Sequence, residues 1–456
     1  MSQSTVTQYG GNRGLSRNLG FSHLVMLGLL LIGALAPVSV FGPIDAVSGG
    51  AVALVYIVAC IAMGFTAASY AQMARVVPKA GSVFAYASTG IGPRTGFIAG
   101  WMVLLDYILV PGLCYVVTGL AMNSFIPSIP VWVFTVAALV ITTGLNLVGA
   151  KVASQAGAAV IVAEAVILLV IVVGAIHFLG TEGATRETLS PLTGVGGGFD
   201  VMSVLHGVSI AVLSFLGFDA ITAFAEENAG TPSVVSKATL TCLVIVGVAF
   251  VAQTYLGALI NPVTPGQLTA DAALQGATYY SAVQASISSW VATALGVVKA
   301  VGAAFAAMVA MAAGSRLIYG MSADRRLPRA LAVISARTHT PVNATLLSAA
   351  ITVAIALPAS LFADGLSVLA SLVNIGALSA FVLLHISVFA YFRREGTFRL
   401  VPHLLVPLAG GLVTAAILAS SSRYAQLIGL GWLLVGIVVL AVQGLRRVAA
   451  APVGEA

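Results

Sequence analysis

Long apolar stretches separated by short polar ones make up most of this chain. They cover residues 22–48, 50–74, 96–122, 131–149, 154–179, 201–225, 238–260, 291–320, 341–358, 365–392, 401–419 and 424–445. Each is near or above the roughly 20 residues that a helix needs to cross a bilayer core. Only helices and closed barrels satisfy their backbone polar groups in lipid, and runs of this length fit helices. The pattern therefore predicts an all-α membrane protein of twelve transmembrane helices. The longest stretch outside the spans, Asn261 to Ser289, carries Pro262, Pro265, Tyr279 and Tyr280 and predicts a loop with short helices.

Composition supports lipid as the solvent. Only 7% of the residues are charged and 59% are apolar, against about 25% charged in soluble domains. The 48 glycines suit close helix packing in a bilayer. The net charge of +6 does not point to nucleic acid, because the basic residues are scattered over short loops. Cys60, Cys114 and Cys242 all lie in apolar runs without CxxC spacing, so neither a disulfide nor a metal site is expected. The polar start lacks a small-residue cleavage site after the first apolar run, and no cleaved signal peptide is expected.

With the N-terminus in the cytoplasm, all lysines and arginines but three fall on the cytoplasmic side, from Arg13 and Arg17 through Lys79 and Arg325 to Arg446 and Arg447. Arg186 and Arg423 fall outside, and Lys299 lies within a span. This bias predicts a multi-pass protein of the cytoplasmic membrane with both termini inside.

Two spans carry helix-breaking residues at mid-depth. The first holds Gly28, Gly33, Pro37 and Gly42, and the sixth holds Gly217 followed by Asp219. Proline removes a backbone donor and glycine tolerates non-helical angles. Unwound backbone at bilayer depth is tolerated where it lines a cavity or is buried in protein. Two such breaks five helices apart predict inverted repeats with a binding site at their interface. The expected division is a cytoplasmic tail (1–21), a first repeat of helices 1–5 (22–179), a second of helices 6–10 (201–392), helices 11–12 (401–445) and a tail (446–456).

Three stretches carry a resemblance to the amino acid–polyamine–organocation transporters over nearly the whole chain. Pro78-Lys79-Ala80-Gly81-Ser82 with Tyr86 is similar to the family's P-x-A-G-x-x-Y segment after helix 2. Phe215-Leu216-Gly217-Phe218-Asp219, running to Glu226-Glu227-Asn228, resembles its helix-6 break. Ser315-Arg316-Leu317 through Asp324 and Pro328 resembles its helix 8–9 loop. Leu104-Leu105-Asp106-Tyr107 and Asn374-Ile375-Gly376-Ala377-Leu378 look most like the bacterial putrescine-importer branch. The resemblance implies a leucine-transporter-type 5+5 inverted repeat plus two extra helices, with helices 1 and 6 broken around the substrate. It departs at the first break. Amino acid carriers of the family show G-[SA]-G-[IV] there, whereas this chain reads Gly33-Ala34-Leu35-Ala36-Pro37. Leu35 replaces a glycine and Pro37 lacks an N–H, which favours an amine without a carboxylate over an amino acid.

The few ionisable residues at bilayer depth are functional candidates, because each costs at least ~2.5 kcal/mol to insert. Asp106 lies about 15 Å along helix 3 at about 1.5 Å per residue. With Tyr107 it suits a substrate ammonium through an ion pair and a cation–π contact. Glu164 lies at similar depth on helix 5, where the resemblance implies a lysine in proton-coupled members, and is a candidate carrier of the coupled proton. Lys299 on helix 8 is expected to neutralise either Asp106 or Glu164. Asp219 either satisfies amides freed by the break or touches substrate. Glu226 and Glu227 either gate the inner path or form a solvated acidic end, and the putrescine-branch likeness makes Glu226 a candidate for amine recognition. His206 and His385 are expected to be core residues or proton relays.

Helix 8 has no Ser or Thr from Ala294 through Gly314. A sodium site would want such oxygens, so proton coupling is expected. No Walker A, HExxH or GxSxG motif stands in a plausible context, which argues against an enzyme. A channel would need a ring of selectivity groups. The sequence thus predicts a proton-coupled importer of a small cationic amine, with an amino acid permease as the alternative. The expected partners are the amine or amino acid, protons and the bilayer, with no cofactor and no metal. Substrate is expected against Ile32, Gly33, Ala34, Leu35, Ala36, Pro37, Asp106, Tyr107, Phe215, Gly217, Phe218, Asp219 and Glu226, with Ala303 to Ala307 as a small-residue wall.

Overall fold

Sequence alone leaves open which side chains meet, and the computed structural model answers that. It describes Leu15 and residues 17–79, 81–196, 200–362, 365–420 and 423–449. Arg13, Ala80 and most of both expected tails lie outside the described residues.

Among the described residues, twelve spans are long and apolar enough to cross a membrane: α1 (Phe21–Ser39), α2 (Val52–Val76), α3 (Pro93–Asn123), α4 (Val131–Val148), α5 (Lys151–Thr181), α6 (Val201–Glu227), α7 (Pro232–Ile260), α8 (Ser289–Ala323), α9 (Val342–Leu361), α10 (Leu372–Arg394), α11 (Val401–Ser420) and α12 (Arg423–Val442). The protein is an all-helical, multi-pass membrane protein. Short helices fill the connections, among them Phe41–Val47, Val83–Gly90, Pro265–Ala270 and Thr278–Ser286. The last two lie in the loop for which short helices were expected.

Span α5 shows how the pattern sorts itself. Val162, Val166, Leu169, Val173 and Ile176 are exposed, and their spacing of four and three makes one helical stripe toward lipid. Val160, Glu164, Ile167, Ile171 and Ala175 form the opposite, buried stripe. The glutamate therefore faces the protein interior.

Two boundaries differ from the sequence reading for a physical reason. The first apolar run continues to residue 48, but α1 stops at Ser39 and a separate helix begins at Phe41. Pro37 and Pro43 both lack an N–H, and they sit in the first turns of the two short helical pieces that follow the break. Span α7 begins at Pro232, ahead of the predicted residue 238, again with proline in its first turn.

Span α1 is helical from Phe21 to Ile32, unwinds through Gly33, Ala34 and Leu35, and resumes as a 3₁₀ turn over Ala36–Ser39. Gly33 sits at φ +72°. Span α6 is helical from Val201 to Phe215, breaks at Leu216 and Gly217 (φ +126°), and continues as a 3₁₀ helix over Phe218–Glu227. Positive φ at both positions needs glycine. The breaks face each other: a Cβ on Gly217 would run into the Leu31 side chain and the Ile32 backbone nitrogen.

The flanks of α1 are tied at both ends of the molecule, to the end of α6 on one side and to the segment after α5 on the other. At the end that carries Lys79 and Arg325, Leu19 N–H donates to Glu227 O (3.0 Å) and Ala229 N–H to Leu19 O (2.9 Å). At the opposite end the helix after α1 is held through Asp45, which accepts both terminal nitrogens of Arg186 at 3.0 Å. Around this pair, α3 packs on α8 and α10, and α2 packs on α7. Span α12 docks on α3 through Trp101 and Trp432, whose indoles stack at 4.6 Å and each donate to the other's carbonyl oxygen.

Candidate substrate site

The unwound segment of α1 is gripped by three polar side chains from surrounding spans. Glu164 of α5 accepts the Ala34 N–H at 2.9 Å. Lys299 of α8 donates to Leu35 O at 2.8 Å. Gln253 of α7 donates to Ala34 O at 2.9 Å. These are groups that the helical ladder would otherwise have satisfied, and at this depth an unpaired backbone group costs several kcal/mol. Gly302 of α8 makes room for the glutamate, since a Cβ there would collide with Glu164 Oε1.

The expected ion pair of Lys299 with an acid is replaced by this clamp. Among the described residues no ion pair joins Lys299 to Glu164 or Asp106. The two side chains instead hold adjacent residues of the α1 backbone, Glu164 at Ala34 and Lys299 at Leu35. A carbonyl freed by the break is a nearby acceptor that the linear pattern could not display.

A second group lies between α3 and α6. Asp219, just past the α6 break, accepts the Tyr107 hydroxyl at 2.7 Å and the Gly217 N–H at 3.2 Å. Its carboxylate thus caps the break, one of the two roles left open for it. Asp106 precedes Tyr107 on α3. It is buried and its Oδ1 has no hydrogen-bond partner. Gly376 of α10 lets the two spans meet at this point, since a Cβ there would press on the Asp106 amide nitrogen. Tyr70 of α2 is fully buried, and its hydroxyl has no hydrogen-bond partner. Its ring packs edge-on against Tyr86, Phe218 and Phe381 at 5.7–6.0 Å. Buried carboxylates walled by tyrosine and phenylalanine rings form a surrounding that attracts an ammonium and repels a carboxylate.

The structure separates Glu226 from this pair. It lines a pocket at the end bearing the basic loops, with Lys79, Tyr319 and Asp324. Its neighbour Glu227 is buried instead, accepting Arg316 Nε at 2.7 Å, while the Arg316 guanidinium lies 4.8 Å from the centre of the Phe224 ring. Phe215 and Phe218 are fully buried around the α6 break. Ile32 packs at the facing break, and Pro37 is buried in the 3₁₀ turn that begins at Ala36. His385 is buried and bonded to Ser69 (2.9 Å) and Thr66 (3.3 Å), whereas His206 is exposed.

Tyr70, Gln253, Gly302 and Asp45 were missed by the sequence reading. Asp45 carried a signal, because it falls within the first apolar run, 22–48. The other three look like ordinary span residues, and only packing gives them a role.

A bundle of twelve spans among the described residues, with two facing breaks and buried carboxylates, fits a membrane transporter. The chain belongs to the amino acid permease family, whose sequence pattern matches residues 23–438. It is 29% identical over 435 residues to the low-affinity putrescine importer PlaP of Escherichia coli (strain K12), covering 94% of this chain and 93% of the relative. It is 26% identical to the branched-chain amino acid permease BcaP of Bacillus subtilis (strain 168), covering 86% and 84%. A third relative, the vacuolar cationic amino acid transporter 2 of Arabidopsis thaliana, is 28% identical, with 82% of this chain and 59% of the relative covered. The family and these relatives are transporters, and this chain is a transporter and not an enzyme.

Proposed function

We propose that this protein imports a small cationic amine, putrescine or a related polyamine first, across the cytoplasmic membrane in symport with protons. The observation that carries the substrate class is Asp106, a buried carboxylate with a bare oxygen and, among the described residues, no cationic partner. An ammonium supplies the missing charge and the missing hydrogen bonds. The similarity to a putrescine importer points the same way. The alternative, an amino acid permease, has the similarity to the branched-chain permease in its favour. Against it, the Ala34 amide that would meet an α-carboxylate is already taken by Glu164, and Pro37 has no amide to give.

Proton coupling rests on the α1 clamp. Glu164 and Lys299 hold opposite poles of the same unwound backbone, so a proton gained or lost by Glu164 changes the grip on α1. The Lys299 ammonium already occupies the Leu35 carbonyl, one of the oxygens that the unwound segment would otherwise offer to a hard cation. In this reading residues 22–179 and 201–392 are inverted repeats, the ends with the basic loops face the cytoplasm, and one bundle rocks against the other.

The test is uptake into proteoliposomes of labelled putrescine against labelled neutral and cationic amino acids, with and without an imposed pH gradient. We expect saturable putrescine uptake driven by an acidic exterior. Strong competition by a neutral amino acid with none by diamines overturns the reading. Asp106→Asn is expected to weaken amine affinity by about tenfold or more, in line with the ~1.5–3 kcal/mol of a charged hydrogen bond.

A further inference from the structure

Ser82 stands just before the short helix Val83–Gly90, where a serine ordinarily caps the helix with its hydroxyl. Here the side chain makes no cap bond, and the residue is fully buried. Its φ of +50° lies in the left-handed region, which glycine occupies freely and serine only under strain. Among the described residues, Arg325 and His339 also take positive φ, but neither is buried. Ser82 thus forgoes both the cap and a relaxed backbone. Its hydroxyl serves α6 instead: the Thr222 hydroxyl donates to Ser82 Oγ at 3.0 Å and shares the same proton with Asp219 O at 2.6 Å.

Asp219 and Thr222 are three residues apart on the 3₁₀ part of α6, and a 3₁₀ helix stacks residues at that spacing on one face. That face meets Tyr107 of α3 through Asp219 and Ser82 through Thr222. The helix that follows Ser82 is itself seated on α3 and α10. A Cβ on Gly96 or Gly100 of α3 would collide with Ser88 or Phe84, and one on Gly90 with the Ser387 carbonyl of α10. Phe84, Ala85, Ser88 and Thr89 of this helix line, with Glu226 and Tyr319, the pocket at the end bearing the basic loops. Thr222 therefore lies between Asp219 at the break and Glu226 at the pocket, and its bond to Ser82 ties the 3₁₀ half of α6 to a helix fixed on α3 and α10.

We propose that Ser82 is a positioning residue for transport: its hydroxyl holds the 3₁₀ half of α6 against the helix Val83–Gly90, and loosening this bond opens the path from the α6 break to the pocket. Serine is kept in the strained turn because glycine, the relaxed choice, has no hydroxyl to offer Thr222. This goes beyond the amine reading and rests only on the chain being a transporter.

The test separates the hydroxyl from the backbone. Ser82→Ala removes the hydroxyl and keeps the strained turn, whereas Ser82→Gly removes both. Neither orphans Thr222, which retains Asp219 O as its acceptor. Each change is combined with Ala85→Cys in the pocket wall, and the rate of maleimide labelling is read in the purified protein, less the background of the same variant without Ala85→Cys. Ser88→Cys, elsewhere on that wall, takes its place if Ala85→Cys does not fold. We expect both Ser82 variants to label faster by about two- to tenfold, the worth of one net hydrogen bond. Thr222→Val should do the same and Thr222→Ser should stay at the wild-type rate. Melting should split the pair, with Ser82→Gly above Ser82→Ala, because glycine relaxes a turn at positive φ. Uptake at saturating putrescine should fall equally in both, since a carrier biased toward one state completes its cycle slowly. Labelling and uptake that follow melting instead, with Ser82→Gly like the wild type, assign Ser82 a structural role alone and overturn the proposal. Labelling unchanged in every variant overturns it too. If the wild type takes up no putrescine, the amine reading fails, and labelling, which needs no substrate, still decides the role of Ser82.

Discussion

At the scale of single residues, the site depends as much on what is absent as on what is charged. Gly302 has no side chain because Glu164 must cross that face of α8 to reach the Ala34 amide. Gly302→Ala should push the carboxylate off the amide while leaving α8 intact, since alanine is a better helix former than glycine. We expect gradient-driven uptake to fall by about tenfold, the worth of a charged hydrogen bond at ~1.5 kcal/mol, and thermal melting to fall as well, because the Ala34 amide is left unpaired at bilayer depth. Gly64 of α2 has open space where its Cβ would be, so Gly64→Ala serves as the control and should leave uptake unaltered. Residue identity was readable for Asp106, Glu164 and Lys299, because charge is rare in apolar runs. Their partners were not, because a hydrogen bond from Lys299 to a carbonyl leaves no mark in the linear pattern.

At the scale of elements, the broken spans are stabilised from outside themselves. The 3₁₀ part of α6 ends at Glu227, and its carboxylate is bound by Arg316 of α8. That places a fully buried charge pair at the end of a helix that cannot complete its own ladder. Removing one partner leaves the other charge unanswered, so Arg316→Met should destabilise the protein by about 3–5 kcal/mol. Pairing it with Glu227→Leu should restore much of the loss, because apolar replacement of a whole buried pair is often near neutral. Thermal melting of the purified single and double variants checks both statements; a single variant that melts like the wild type would show that the pair contributes nothing. The existence of both breaks was legible from Gly33, Pro37 and Gly217. The form of the second was not: its continuation is 3₁₀ over its whole length, a choice made by packing against α1 and α7.

At the scale of the whole molecule, the clamp on α1 joins three spans, α5, α7 and α8, to one unwound segment. On the proposed mechanism, a change in charge at Glu164 bears on the piece of backbone that rocking of the bundles has to move. In proteoliposomes, an acidic exterior should accelerate wild-type uptake, whereas Glu164→Gln should transport at a rate indifferent to the gradient. Lys299→Met should shift the pH profile as well; uptake and a pH profile identical to the wild type would remove the clamp from the mechanism.

The sequence by itself determined that the chain lives in lipid, how many times it can cross, and where two of its helices must break. These follow from composition and local sterics, since apolar length, proline and positive-φ glycine act within a few residues of themselves. The tertiary structure alone decided which charges meet. Asp45 and Arg186 lie far apart in the chain, as do Glu227 and Arg316, yet each pair closes through folding. The same packing buries Asp106 with an oxygen that has no hydrogen-bond partner. Interactions of that kind depend on distance in space, and at bilayer depth the low dielectric makes that distance decisive.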